Sequence, residues 1–255
     1  MSAHATAAAP LIALVASVAA CTAGKEAPRT DAAASPRVVT VTATDYAFEA
    51  PDTIEAGFTT FRLVNNGDQL HMAQLIKLEG GRTLSDFLVA YNEAFRTIGP
   101  RPTWATRLGG PGVADPRGRS NATHYLEPGS YAWIYLMNVP DGIPHVVKAG
   151  MAKPFAVRAR NPEAAPQTAP EASIVIQLVD SAFIMSAPLT AGRHMIRVLN
   201  AGVEPHEVGL VKLVPGKTMQ DFEAWMQNPQ GAPPVTRSAG FRRLRPTSKP
   251  TSRST

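Results

Sequence analysis

Residues 38–44 alternate valine and threonine, the period-two pattern of a strand with one buried face. Phe48, Ile54, Phe61, Leu63 and Leu75 continue the apolar rhythm between turn residues at Pro51-Asp52, Ala56-Gly57 and 65–68. At Thr83 the period changes. Leu84, Phe87, Leu88, Tyr91 and Phe95 recur every three or four residues, which predicts an amphipathic helix over 83–97. Thr83 stands at its N-cap with Asp86 in the capping-box position, and Pro100 and Pro102 end it. After a Gly/Pro loop over 109–119, strands are expected at 121–127 and 130–136 about a Glu127-Pro128-Gly129 turn, and again at 155–158.

The pattern then repeats. Pairing each residue from Asp45 to Phe87 with the one 135 positions later gives 16 identities in 43 ungapped positions, an internal duplication. The identities include Asp45 with Asp180, Asn65 with Asn200, His71 with His206, Thr83 with Thr218 and Asp86 with Asp221. Past Pro234 neither alternation nor a recognisable counterpart of the first copy remains. The second copy therefore reads as truncated, with a frameshift or premature stop as the expected cause. The organisation that results is a signal segment over 1–21, a linker over 22–36, a first domain over 37–159 and a linker over 160–172. A partial second domain over 173–234 and a basic disordered tail over 235–255 complete it.

Composition changes this picture in three places. With 23 Pro and 19 Gly the chain is rich in turns, as all-β sandwiches are. The net charge of +5 includes six basic residues in 237–255, where no acid occurs, so the rest of the chain stands at −1. Without aromatic interleaving that tail reads as solvated, and no nucleic-acid partner is expected. The single cysteine, Cys21, closes the apolar run AAAPLIALVASVAAC, too short to span a bilayer and fitted to a signal-peptide core. Val18-Ala19-Ala20-Cys21 resembles a bacterial lipobox, which implies export, lipidation at Cys21 and a periplasmic or cell-surface location tethered to the membrane.

Candidate chemistry concentrates in Gly129 to Met151, where an alternating strand leads through a Pro-Gly loop to His145 and Met151. Tyr131, Pro144-His145 and Gly150-Met151 match the last hairpin of the cupredoxin, or blue copper, family, which the stretch resembles. Asn65 to His71 resembles the Asn-rich turn that carries the family's first histidine. The resemblance implies a Greek-key β-sandwich, here duplicated with a short inserted helix in each copy. It implies copper as cofactor, held by His71, His145 and Met151, with Tyr135 where the family has its cysteine. No cysteine occurs beyond Cys21, so the trigonal His, His, Cys centre cannot form within this chain.

Three functions follow. The first is an extracytoplasmic protein with a degenerate His/His/Met copper site, related to electron-transfer proteins and meeting a redox or copper-donor partner. The second is a metal-free binding or scaffold module on the cupredoxin fold at the cell surface. The third places the active copper site of an intact ancestor in the second copy. No enzyme is expected, because six histidines without a His-x-His spacing, and no nucleophile elbow, leave no catalytic cluster. Met137 is a further candidate ligand, His124 reads as structural, His206 as a turn histidine, and His194 and Met195 as strand residues.

Overall fold

In a computed structural model of the protein, residues 35–137, 143–148, 150–164 and 166–244 are described. Cys21 and the signal segment lie outside them.

The alternation of the first copy forms nine strands. β1 (Arg37–Ala43), β2 (Phe48–Glu49), β4 (Gly57–Asn65) and β7 (Arg119–Leu126) make one sheet in the order β2-β1-β4-β7. β3 (Thr53–Glu55), β5 (Gln74–Leu78), β6 (Ala105–Gly109), β8 (Gly129–Ile134) and β9 (Ala152–Arg158) make a second, ordered β3-β9-β8-β5-β6. β1 with β4, and β3 with β9, are parallel; the remaining pairs are antiparallel. The chain changes sheet between β2 and β3, β3 and β4, β4 and β5, β6 and β7, and β7 and β8, giving a cupredoxin-like Greek-key sandwich. The 105–109 strand had no expectation in the sequence, because ATRLG alternates too weakly to read as one.

Phe61 from one sheet meets Trp133 from the other edge-to-face, with ring centres 4.6 Å apart. Phe155 stacks on Trp133 at 5.5 Å and on Tyr131 at 5.6 Å. Such pairs add about 0.5–1.5 kcal/mol each to the burial of their area, so this cluster is the sandwich's main clamp. α1 (Leu84–Thr97) has the expected capping box, Thr83 accepting from the Asp86 amide while Asp86 accepts from the Thr83 amide. Its Phe87 and Tyr91 cover Ile76, Leu78, Ala132 and Ile134 on the outer face of the second sheet.

The second copy repeats this architecture in register. β10 (Ile174–Val179), β11 (Ala182–Met185) and β12 (Ile196–Asn200) form a sheet ordered β11-β10-β12. Ile174 lies opposite Ile196 as Val39 lies opposite Phe61, both at the 135-residue offset. β13 (His206–Leu213) is followed by α3 (Met219–Gln227), capped by Thr218 and Asp221 in the same box.

Beyond Pro234 the structure corrects the sequence reading. Residues 235–244 are not a disordered tail but β14 (Val235–Leu244), antiparallel to β13. Lys212 faces Thr236 as Lys77 faces Thr106, and Val211 faces Arg237 as Ile76 faces Arg107. The Val214 amide donates to Pro234 as the Glu79 amide donates to Trp104, both at 3.0 Å. β14 is thus the counterpart of β6 at an offset of 130 rather than 135, and an ungapped comparison loses it. Residues 245–255 lie outside the described region. His194 and Met195 are also not strand residues; they precede β12, where the His194 ring lies within hydrogen-bond reach of Ser173 and Thr190.

His124 is structural, as expected. Its ring packs against Phe61, its Nε2 is buried without a partner, and burial pushes its pKa from 6.5 to about 4. The folded state therefore prefers the neutral ring, and this contribution is complete above pH 6.5 and lost as pH falls toward 4. Chemical denaturation at pH 7 and pH 5 is expected to show a loss on the order of 1–2 kcal/mol from this group, largely removed in His124→Met.

Candidate functional site

The site is built from a turn and a hairpin end. β4 runs into the turn through Asn65, whose buried side-chain amide donates to the carbonyls of Gln69 (2.7 Å), Ala114 (3.0 Å) and Asp115 (3.1 Å). Its Oδ1 accepts from the Gly67 amide at 2.9 Å. These four bonds satisfy a buried polar residue and fix the loop that carries His71, which is itself bridged to Ala114 through backbone bonds of 3.1 and 2.7 Å. Asp45, just beyond β1, accepts from the Asp68 amide at 2.8 Å and lies 3.4 Å from His71 Nε2.

The second half comes from the end of β8. The Tyr135 amide donates to Met151 at 3.2 Å, and the Val146 amide donates to Tyr135 at 3.0 Å. A single turn of helix, α2 (His145–Lys148), is held at its start by the His145 amide donating to Met137 at 3.0 Å. The expected loop is therefore partly helical, and that turn aims His145 inward.

All four expected side chains are buried: His71 (0%), His145 (2%), Met151 (1%) and Tyr135 (3%). The rings of His71 and His145 lie 6.3 Å apart, and Tyr135 stands against both, at 5.1 Å and 4.5 Å respectively. Met151 packs in the same core cluster as Tyr135, with Met137 at its margin. A cavity of about 340 Å³ lined by Met72, Gln74, Leu136 and His206, among others, includes neither His71 nor His145. The paired rings are packed among side chains rather than arrayed around a substrate-sized opening.

Burial holds the pKa of His71 down against the raising effect of Asp45. His145 is held down by burial first, then by His71 and Lys148. Both imidazoles are thus neutral at neutral pH. The Asp45 carboxylate, itself kept acidic chiefly by the Asp68 amide, accepts from His71 and so places that ring's proton on Nε2. His71 Nδ1 is left as a bare lone pair, buried and unpartnered, and His145 Nδ1 is likewise buried and unpartnered.

Two unpaired imidazole nitrogens, with the Met151 thioether buried in the core cluster that holds Tyr135, are donors of the kind a soft ion of the copper type takes, and a carboxylate behind a histidine is the usual support for such a ligand. The 6.3 Å ring separation is at the wide end of what one ion reaching about 2.0–2.1 Å to each nitrogen can bridge. Tyr135 differs from a thiolate in being already engaged, since its hydroxyl donates to the Leu70 carbonyl. Among the described residues no group of three or more His, Cys, Asp or Glu is placed to hold a metal. Any centre here rests on the two histidines and sulfur.

Asp45, Gly67 and Tyr46 were not singled out from sequence. Tyr46 stacks over His145 with ring centres 6.0 Å apart. Asp45 and Gly67 left a signal, both being identities of the repeat. In the second copy Asp180 Oδ1 lies 3.1 Å from His206 Nε2 and accepts from the Val203 amide, while Asn200 Oδ1 accepts from the Gly202 amide. The described residues contain no counterpart of β7, β8 or β9, so His206 has no second imidazole facing it as His71 has His145.

No family model matches the chain, and no curated protein does. Among solved structures it is similar to auracyanin A, a "blue" copper protein from the green thermophilic photosynthetic bacterium Chloroflexus aurantiacus, at 19% identity, covering 49% of this chain and 100% of that one, with a TM-score of 0.32. It is also similar to a dithionite-reduced auracyanin from Roseiflexus castenholzii, at 19% identity over 50% of this chain and 99% of that one, with a TM-score of 0.29. For auracyanin B the figures are 18% identity, 49% and 91% coverage and a TM-score of 0.29.

A methyl group at Gly67 would come within 2.3 Å of Asp45 Oδ1 and 2.7 Å of His71 Nε2. Gly67→Ala is therefore expected to part the two and lower stability by about 1–3 kcal/mol, because a buried ring loses its acceptor. Thermal unfolding reads the loss, and nitrogen NMR of the His71 ring is expected to show the Nε2-protonated tautomer giving way to a mixture.

Proposed function

We propose that the chain is an extracytoplasmic, copper-binding protein on the cupredoxin-like fold, exported and lipid-anchored through Cys21, which carries copper to or from a partner protein. The observation that supports this reading is the pair of buried, unpartnered Nδ1 atoms of His71 and His145. An imidazole nitrogen left bare in the interior forfeits a hydrogen bond, and a bound ion would satisfy both at once. Copper supplies one-electron exchange and a preference for soft donors. His71 and His145 hold the ion through nitrogen and Met151 through sulfur, while Asp45 fixes the tautomer of His71. Close packing around the rings keeps water out, and Tyr46 shields His145 on the solvent side.

A second reading, a metal-free binding module, draws on the Tyr135 hydroxyl, whose bond to Leu70 lets the tyrosine close the end of the sandwich unaided. Copper titration of the purified protein separates the two. The carrier reading expects one copper per chain without an intense thiolate charge-transfer band, and at least a tenfold (about 1.4 kcal/mol) weaker affinity in His145→Ala or Met151→Leu. Absence of stoichiometric binding would favour the module.

A further inference from the structure

The donors at the histidine end of the sandwich share one character. His71 and His145 offer neutral imidazole nitrogens, their Nδ1 atoms buried without a partner. Met151 and, at the margin of the same core cluster, Met137 offer thioethers. Oxygen is engaged elsewhere. The Tyr135 hydroxyl donates its proton to the Leu70 carbonyl, so the ring offers no phenolate, and Asp45 faces His71 at Nε2 rather than at the bare Nδ1.

We infer that this site is selective for copper in its monovalent state, Cu(I), over Cu(II). The inference rests on the copper-binding reading above and carries it from the metal to its oxidation state. Thioether sulfur is a soft donor that selects Cu(I), whereas Cu(II) takes a square of nitrogen and oxygen donors. The geometry points the same way. Ring centres 6.3 Å apart are near the limit of what one ion can bridge, so an ion held by both rings has them on nearly opposite sides. An ion with a filled d shell accepts two such donors and a sulfur. The square that Cu(II) seeks also needs water, and His71 (0%), His145 (2%) and Met151 (1%) are closed to it.

Charge adds a third argument. Among the described residues Asp45 is the carboxylate that acts on both rings, while Lys148 acts on His145 with the opposite sign. A monovalent ion beside one carboxylate sums to zero. A divalent ion leaves a net positive charge in a place where burial already disfavours one. Zn(II) meets the same objection and lacks donors besides, since among the described residues no group of three or more His, Cys, Asp or Glu is placed to hold a metal.

Titration of the full chain with Cu(I), without oxygen and against a coloured Cu(I) chelator, is expected to show one ion bound at least about a thousandfold more tightly than Cu(II) in a parallel titration. Silver(I), a soft monovalent ion that keeps its oxidation state, is expected to compete for the site and to move the nitrogen NMR signals of His71 and His145 together, while Zn(II) leaves them in place. Met151→His exchanges the soft donor for a harder one and is expected to weaken Cu(I) while strengthening Cu(II), a reversal that misfolding would not give. Cu(II) bound as tightly as Cu(I) overturns the inference and leaves the copper-binding reading standing, as does Zn(II) moving the same signals. A chain that binds neither state of copper overturns both.

Discussion

One carboxylate oxygen, Asp45 Oδ1, joins the end of β1 to the turn after β4, accepting from the Asp68 amide and facing His71 Nε2. With Asn65 it forms a small polar knot at one end of an apolar sandwich, and the site depends on it. The knot positions the first histidine, sets its proton and turns a lone pair inward. A Cβ at Gly67 would have no room, so the glycine is required by close approach rather than by an unusual backbone angle.

The second copy serves as an internal control for this argument. It keeps the bonds of Asn200 to Glu204 and Gly202 and of Asp180 to His206, although the described residues contain no counterpart of β7, β8 or β9 around them. The knot is therefore a local structure, specified by residues within a short span and independent of the hairpin opposite. The paired imidazoles, by contrast, need β8 and α2, and among the described residues they occur in the first copy.

What was legible in the sequence follows the same division. Strands with strong Val/Thr alternation, the helix with its Thr83–Asp86 box, the duplication and the meeting of His71, His145 and Tyr135 could be read from period, spacing and resemblance. β6, β14 and α2 could not. β6 is short and carries a charge, Arg107, at its centre on a half-covered sheet edge, α2 is a single turn fixed by backbone bonds to Met137 and Tyr135, and β14 was hidden by a change of offset. Asp45 was missed for another reason: an exposed-looking acid gains its meaning only from a histidine 26 residues away.

That change of offset has a wider meaning. α1 has 14 residues and α3 has 9, a difference of five, the same five by which the strand after each helix is displaced. Both strands nevertheless reach the same register on β5 and β13. The two copies are thus a natural length-variation experiment on one connection, with the framework unmoved by the outcome. Residues 98–104 and 228–234 join helix to strand with the same length, so the difference is taken up in the helix itself, and the helix is accordingly where this scaffold tolerates a change of length.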